Sequence, residues 1–147
     1  MGITKEYRFC AAHRLMHHTG RCANIHGHNY VVRVKVVRLS GETDEETGMV
    51  ADFSEIRTIL SRVFDPYDHS IILNKEDPIL GKVCELGDFR IHPFPGEPTA
   101  ENMCRFFFYG VDKLLREKSC FLMSISIQET EGNSAEFYGQ EERNETA

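Results

Sequence analysis

Three histidines are spaced so that they could hold a metal ion. His26 and His28 flank Gly27, and His13 lies fifteen residues before His28. Residues i and i+2 of a β-strand point to the same face, so His26 and His28 would present their imidazoles side by side. His13 ends a second strand-like run, and all three imidazoles converge if the two runs pair as a hairpin. Three nitrogen ligands with one open position are what a catalytic zinc ion needs.

The loop between these two runs carries further reactive side chains. Cys22 lies four residues before His26 in a polar segment that contains Gly20. Two interpretations of Cys22 stay open: an incidental loop thiol, or a base or nucleophile whose pKa is lowered by a nearby cation. His17 and His18 lie in the same loop, either as incidental residues or as transient ligands, and the sequence does not decide between these roles.

Alternating apolar residues predict the strands that position the histidines. The pattern predicts strands over 3–13 and 26–39, with the histidines on the apolar, inward face of the second strand. A third strand is predicted over 121–129 and a last one near 135–138. Glu129 continues the apolar odd positions of the third strand. A carboxylate facing inward needs a partner, which is either a backbone amide or a ligand with N–H donors.

Helices are predicted between the two groups of strands. Asp52 is an N-cap and Glu55 completes a capping box, in a helix that must end before Pro66. A short helix is predicted over 77–87, residues 89–92 are compatible with a short strand, and Thr99 caps a second long helix. Strands at both ends of the chain indicate an α+β fold, with two main helices packed on one face of a four-stranded antiparallel sheet.

Composition limits the classes of function. The 147 residues carry 41% hydrophobic residues and a formal charge of −6, which argues against binding of nucleic acid. No apolar run is long enough to span a membrane, and the N-terminus lacks the features of a signal peptide. Five scattered cysteines without a CxxC motif predict free thiols in a reducing, cytoplasmic compartment. We expect one domain over 1–138 and a disordered tail over 139–147.

Six segments in order along nearly the whole chain resemble the 6-pyruvoyl-tetrahydropterin synthase family, and especially its 6-carboxytetrahydropterin synthase branch. These are residues 9–15, 22–30, 47–53, 68–69 with 73–74, 98–102, and 129–130 with 135 and 138. The resemblance implies the tunnelling fold (T-fold), in which sheets from three subunits join into a barrel and two rings stack into a homohexamer. It also implies active sites between subunits.

The resemblance further implies a substrate and roles for residues. The substrate would be 7,8-dihydroneopterin triphosphate, and the branch forms 6-carboxy-5,6,7,8-tetrahydropterin, acetaldehyde and triphosphate on the route to queuosine. Zinc would bind His13, His26 and His28. The catalytic residues would be Cys22, Asp68, His69 and Glu129, and the pterin would contact Glu129, Thr130 and Glu101. Arg14 and Arg21 are candidates for the triphosphate on the basis of their charge and location.

Alternatives remain at this point. The same fold could carry 6-pyruvoyl-tetrahydropterin synthase activity, which eliminates triphosphate, or could serve as a non-catalytic metal or pterin binder. A structural zinc site is a further alternative, and it would require Cys22 as a fourth ligand. The short spacing from Cys22 to His26 resembles the carboxy branch. The segment over 75–96 is longer than in compact members and could alter the entrance to the site.

Overall fold

Two long antiparallel strands form the centre of the sheet and bring the histidine-containing runs side by side. In this computed structural model, which describes residues 1–139, β1 (Gly2–His13) pairs with β2 (His26–Arg38). The register places His13 opposite His26 and Ala11 opposite His28. The predicted hairpin of the two runs is therefore present, with the three imidazoles on one face.

The remaining elements follow in chain order. They are α1 (Phe53–Phe64), β3 (Ser70–Asn74), α2 (Leu80–Glu85), β4 (Ile91–Phe94), α3 (Ala100–Arg116), β5 (Cys120–Thr130) and β6 (Asn133–Tyr138). Short 3-10 turns lie at Arg21–Ala23 and Asp65–Tyr67. No helix in residues 1–139 is long and apolar enough to cross a membrane.

The sheet is larger than the four-stranded antiparallel sheet predicted from the sequence, and that part of the prediction is wrong. It has six strands in the order β4-β3-β1-β2-β5-β6, and β3 runs parallel to both β1 and β4. The strand β3 was missed because its five residues are nearly all buried and show no alternation, as in parallel strands generally. Pro93 is tolerated in β4 because β4 is an edge strand.

Two main helices pack on one face of the sheet, as predicted, and the core lies between them and the strands. The Asp52 carboxylate caps α1 by accepting from the Ser54 amide at 2.6 Å. The Glu55 carboxylate accepts from Lys118 Nζ at 3.1 Å. This differs from the predicted capping box, in which Glu55 reaches back to the N-cap residue. The helix ends at Phe64, before Pro66, and Thr99 caps α3 through the Asn102 amide at 3.2 Å.

The inward face of β5 changes at an irregularity in its pairing with β2. Lys35 pairs with Ser124 and Val36 with Leu122, so Met123 is an extra residue. Before it the even positions face the core, and after it the odd positions do, which corrects the uniform alternation predicted for this strand. The C-terminal half of β5 therefore carries Glu129 on the inward face, as predicted.

The predicted tail mostly lies outside the described residues, since residues 140–147 are not among them. Gly139, the first residue of that tail, still donates its amide to the Met123 carbonyl at 2.9 Å.

Candidate active site

The three predicted metal ligands come together at one end of the β1–β2 pair. The ring nitrogens that His13, His26 and His28 offer all lie within 4.8 Å of one another. His13 Nε2 and His26 Nε2 are 3.1 Å apart. His13 is 2% exposed, and His26 and His28 are half-buried. Paired strands thus hold three rings around one point and leave one side of that point accessible.

Two backbone carbonyls fix the orientation of the rings. His13 Nδ1 lies 2.8 Å from the Pro98 oxygen, and His26 Nδ1 lies 2.8 Å from the Asn24 oxygen. A carbonyl oxygen only accepts, so both Nδ1 atoms must carry the proton. The two Nε2 atoms then face each other as lone pairs, which cannot bond to each other. A cation between them would satisfy both, and the site therefore fits a metal ion.

Burial keeps two of these imidazoles, those of His13 and His28, in the form that binds metal. It lowers the pKa of His13 to about 4, and a smaller contribution comes from the neighbouring histidines. Burial, followed by the charge of His26, also lowers the pKa of His28. Because a metal displaces protons from its ligands, rings that are already neutral near pH 7 bind it without that cost.

A carboxylate lies beside the cluster. Glu129 Oε1 is 3.8 Å from His13 Nε2, which confirms that this residue faces inward. Burial, and then the negative charge of Glu101, raise the pKa of Glu129. Thr130 is the last residue of β5, and its hydroxyl accepts from the Asn133 amide group at 2.7 Å. Glu129 thus offers a carboxylate acceptor beside the histidines, which suits a ligand with N–H groups.

Cys22 lies in the 3-10 turn of the loop between β1 and β2. Its carbonyl accepts from the Leu15 amide at 2.8 Å, two residues beyond His13. The Cys22 side chain is half-buried. Among residues 1–139, the cluster that could hold a metal contains the three histidines and does not include Cys22. This arrangement leaves the thiol available for chemistry and disfavours a closed structural site with a sulfur ligand.

The beginning of the loop that carries Cys22 is held by charged groups. Arg14 Nε donates to Asp77 Oδ2 at 2.7 Å, and the Asp77 side chain is fully buried. The Glu97 carboxylate accepts from Asn74 at 2.7 Å and from the His17 amide at 3.4 Å. Arg14 is therefore already paired inside its own chain, which weakens its candidacy as a triphosphate ligand.

Asp68 and His69 form a pair just before β3. His69 Nδ1 lies 2.9 Å from Asp68 Oδ2, so Nδ1 carries the proton and Nε2 is left as a base. The Cys10 amide donates to Asp68 Oδ1 at 2.8 Å, and this bond is the main cause that lowers the pKa of Asp68. His69 has a positive φ of 55° and donates its amide to the Cys10 carbonyl at 2.7 Å. The pair is thus fixed to β1 by two hydrogen bonds with the backbone of Cys10.

This pair lies on the other side of the sheet from the three histidines. His69 lines a cavity of about 300 Å³ together with Cys10, Ala12 and Asn29. These three residues alternate with Ala11 and His28 along β1 and β2, so they belong to the opposite face. Their side chains therefore lie on the face opposite the three imidazoles, although His28 also lines this cavity.

Some groups of the site gave no signal in the sequence. The Pro98 and Asn24 carbonyls that orient His13 and His26 belong to the backbone, which every residue has. Tyr30, buried beneath the cluster, had the pattern of an ordinary core residue.

The comparison with known proteins agrees with this geometry. A model of the 6-pyruvoyl tetrahydropterin synthase family matches residues 2–140. The chain belongs to this family. It is 30% identical over 139 residues to the 6-carboxy-5,6,7,8-tetrahydropterin synthase of Haemophilus influenzae, covering 92% of this chain and 96% of that relative. It is 35% identical over 127 residues to the protein of the same name from Synechocystis, covering 77% of this chain and 98% of the relative.

Solved structures share the fold. The 6-pyruvoyl tetrahydropterin synthase of Caenorhabditis elegans is 28% identical with a TM-score of 0.69, and the match covers 95% of this chain and 96% of that one. An uncharacterized protein from Wolinella succinogenes has a TM-score of 0.78 at 19% identity, covering 95% and 98% of the two chains. That second likeness shows the fold alone. Together they confirm the α+β fold of the family.

Proposed function

We propose that this chain is a zinc-dependent 6-carboxy-5,6,7,8-tetrahydropterin synthase. It would act as a lyase that converts 7,8-dihydroneopterin triphosphate to 6-carboxytetrahydropterin, acetaldehyde and triphosphate, on the route to queuosine and other deazapurines. The observation that carries the proposal is the convergence of three imidazoles beside an inward carboxylate. The names of the relatives support the choice of product.

The three histidines would hold zinc, and the remaining groups would act on the substrate around it. Bound zinc would supply a Lewis acid that lowers the pKa of the side-chain hydroxyls of the substrate. Cys22, as a thiolate, takes a proton from the carbon or oxygen next to the pterin ring. Its half-buried position in the loop that follows His13 suits this role.

Glu129 would hold the pterin. Its carboxylate accepts from the amino group and the ring N–H as a bidentate acceptor, which fixes the ring relative to the histidines. Glu101 and Thr130 contribute further acceptors. Burial and then the charge of Glu101 raise the pKa of Glu129, so the ionised carboxylate lacks stabilising partners in the free protein. The N–H donors of a bound pterin would supply them and stabilise the ionised form.

His69 would act as a proton relay in the active site of another subunit. Asp68 orients its ring, and the exposed His69 side chain is accessible to a substrate held by another subunit. The sheet also has two edge strands, β4 and β6, at which further copies could pair. We therefore propose a homohexamer with active sites between subunits, with the small-molecule pterin triphosphate as its partner and no nucleic acid or membrane partner. The free cysteines suit a cytoplasmic location.

The alternatives differ in product or in metal. A 6-pyruvoyl-tetrahydropterin synthase would release triphosphate without acetaldehyde, and the likeness to the Caenorhabditis elegans protein keeps it as the second candidate. A non-catalytic metal or pterin binder would have no need for Cys22, His69 and Glu129 together.

Product analysis tests the proposal. Zinc-loaded protein is incubated with 7,8-dihydroneopterin triphosphate, and the products are identified by mass spectrometry with a separate assay for acetaldehyde. We expect acetaldehyde and 6-carboxytetrahydropterin in equal amounts. Triphosphate release without acetaldehyde would assign the pyruvoyl activity instead, and recovery of intact substrate would indicate a binder.

A further inference from the structure

One buried polar group near the histidine cluster has no partner. Tyr30 is 0% exposed, and its hydroxyl has no hydrogen-bond partner among residues 1–139. A hydroxyl that is buried without a partner destabilises the fold, and nearly all such groups in proteins are bonded. Phenylalanine would fill the same space without that cost. The hydroxyl therefore calls for an acceptor within its reach.

The ring of Tyr30 is held rigidly next to the proposed metal ligands. It stacks on Phe9 with a centroid distance of 5.0 Å and an interplanar angle of 18°. It meets His28 edge to face at 5.4 Å and His13 at 6.0 Å. These contacts fix the direction of the hydroxyl, so its hydrogen-bond acceptor must be a group that can lie in that direction.

One acceptor on this face lies opposite Tyr30. The ring nitrogens of His13 are engaged elsewhere, since Nε2 is directed at the proposed metal and Nδ1 donates to the Pro98 carbonyl. Phe9 has no acceptor. Glu129 lies on the neighbouring strand, one residue beyond the pair of Val31 with Gln128, and therefore opposite Tyr30 on the same face.

We propose that Tyr30 is a positioning residue whose hydroxyl donates a hydrogen bond to the Glu129 carboxylate, directly or through one water molecule. The bond would satisfy the buried hydroxyl and hold the carboxylate in the orientation that accepts the pterin N–H groups. The inference rests on the proposed function for the identity of the ligand, but the pair of Tyr30 and Glu129 is independent of it. Glu129 reaches His13 Nε2 only at 3.8 Å, beyond hydrogen-bonding distance, so its carboxylate is free to take this donor.

A thermodynamic cycle tests the pair without any pterin. The thermal unfolding midpoints of zinc-loaded wild type, Tyr30→Phe, Glu129→Met and the double variant are compared. We expect Tyr30→Phe to lower the unfolding midpoint in the wild-type background, because the hydrogen bond to Glu129 is lost. In the Glu129→Met background that bond is already absent, so Tyr30→Phe should leave the midpoint unchanged or raise it. Tyr109→Phe, at an exposed ring, is the matched control and should shift both backgrounds equally. If Tyr30→Phe shifts the unfolding midpoint equally in both backgrounds, the hydrogen bond between Tyr30 and Glu129 does not exist.

Ligand binding tests the positioning role. Binding of 7,8-dihydroneopterin to metal-depleted protein is measured by equilibrium dialysis, so that zinc does not contribute. We expect Tyr30→Phe to raise the Kd by roughly tenfold, as for loss of a hydrogen bond to a charged group, and Tyr109→Phe to leave it unchanged. If the unfolding cycle shows coupling between Tyr30 and Glu129 but Tyr30→Phe leaves the Kd for 7,8-dihydroneopterin unchanged, Tyr30 has no positioning role. Absence of binding by the wild type would count against the proposed function, while the unfolding cycle would still decide whether the pair exists.

Discussion

The histidine cluster and the Asp68–His69 pair are built in opposite ways. The side chain of His13 is 2% exposed and that of His69 is 79% exposed. The cluster is held by paired strands and by carbonyls at 2.8 Å, all within one chain. The Asp68–His69 pair is also anchored, through Cys10, but the imidazole of His69 is exposed.

The difference separates two requirements of a catalytic site. A metal needs its ligands fixed within a fraction of an ångström, and burial between β1 and β2 provides this. A proton relay needs access to a substrate held elsewhere, and an anchored but exposed imidazole provides that. The chain thus positions three candidate metal ligands by burial and a candidate proton relay by anchoring alone. We propose that this relay serves the active site of another subunit.

The largest effect is expected from removal of a buried ligand. His13→Ala should lower zinc affinity by more than the roughly 10–100-fold that loss of an outer-shell partner costs. His17→Ala, in the exposed loop that follows, should retain one zinc ion per chain. Zinc content after dialysis against a weak chelator, measured by mass spectrometry, compares the two. Stoichiometric zinc in the His13→Ala variant would show that the cluster is not the metal site.

The second-largest effect, on turnover, tests whether the Cys22 and the His69 of one active site come from different chains. Cys22→Ala and His69→Ala should each lower turnover by about 10²–10⁴-fold, with zinc content unchanged. Co-expression of the two variants should restore about a quarter of the native sites if random assembly combines an intact Cys22 with an intact His69 from another chain. Cys84→Ala, at an exposed thiol, is the control that should keep full activity. Co-expressed variants that remain as inactive as either parent would place both groups in one chain.

The smallest effect concerns pH. Burial, and then Glu101, raise the pKa of Glu129 above 4.5, and only the ionised carboxylate accepts from a pterin. Binding of 7,8-dihydroneopterin to metal-depleted protein should therefore be present above that raised pKa and be lost as the pH falls through it. Glu101→Gln removes the like charge and should move this loss to lower pH, whereas Glu131→Gln should not. Titrations of binding against pH measure the shift, and identical curves for Glu101→Gln and wild type would contradict it.

Much of the framework of the site could be predicted because β1 and β2 are long and alternate clearly. That alternation by itself is enough to put His13, His26 and His28 on one face. The strand β3 could not be predicted in this way, since a short strand buried on both faces has no alternation. The irregularity at Met123 also depends on pairing with β2, which local sequence does not encode.

The roles of single residues were less accessible. The Pro98 and Asn24 carbonyls orient two rings, but a carbonyl leaves no trace in the residue type. Asp68 and His69 alone have the pattern of a surface turn, and only the family resemblance suggested a role for them. That they lie on the far side of the sheet from the cluster follows from tertiary pairing with Cys10, which no local pattern contains.

X-ray absorption spectroscopy at the zinc edge of the loaded protein tests the central claim most directly. The account predicts a first shell of three imidazole nitrogens and one exchangeable oxygen at about 2.0–2.1 Å, without sulfur. A zinc–sulfur distance of about 2.3 Å would contradict it, because Cys22 would then close the site and could not serve as a base.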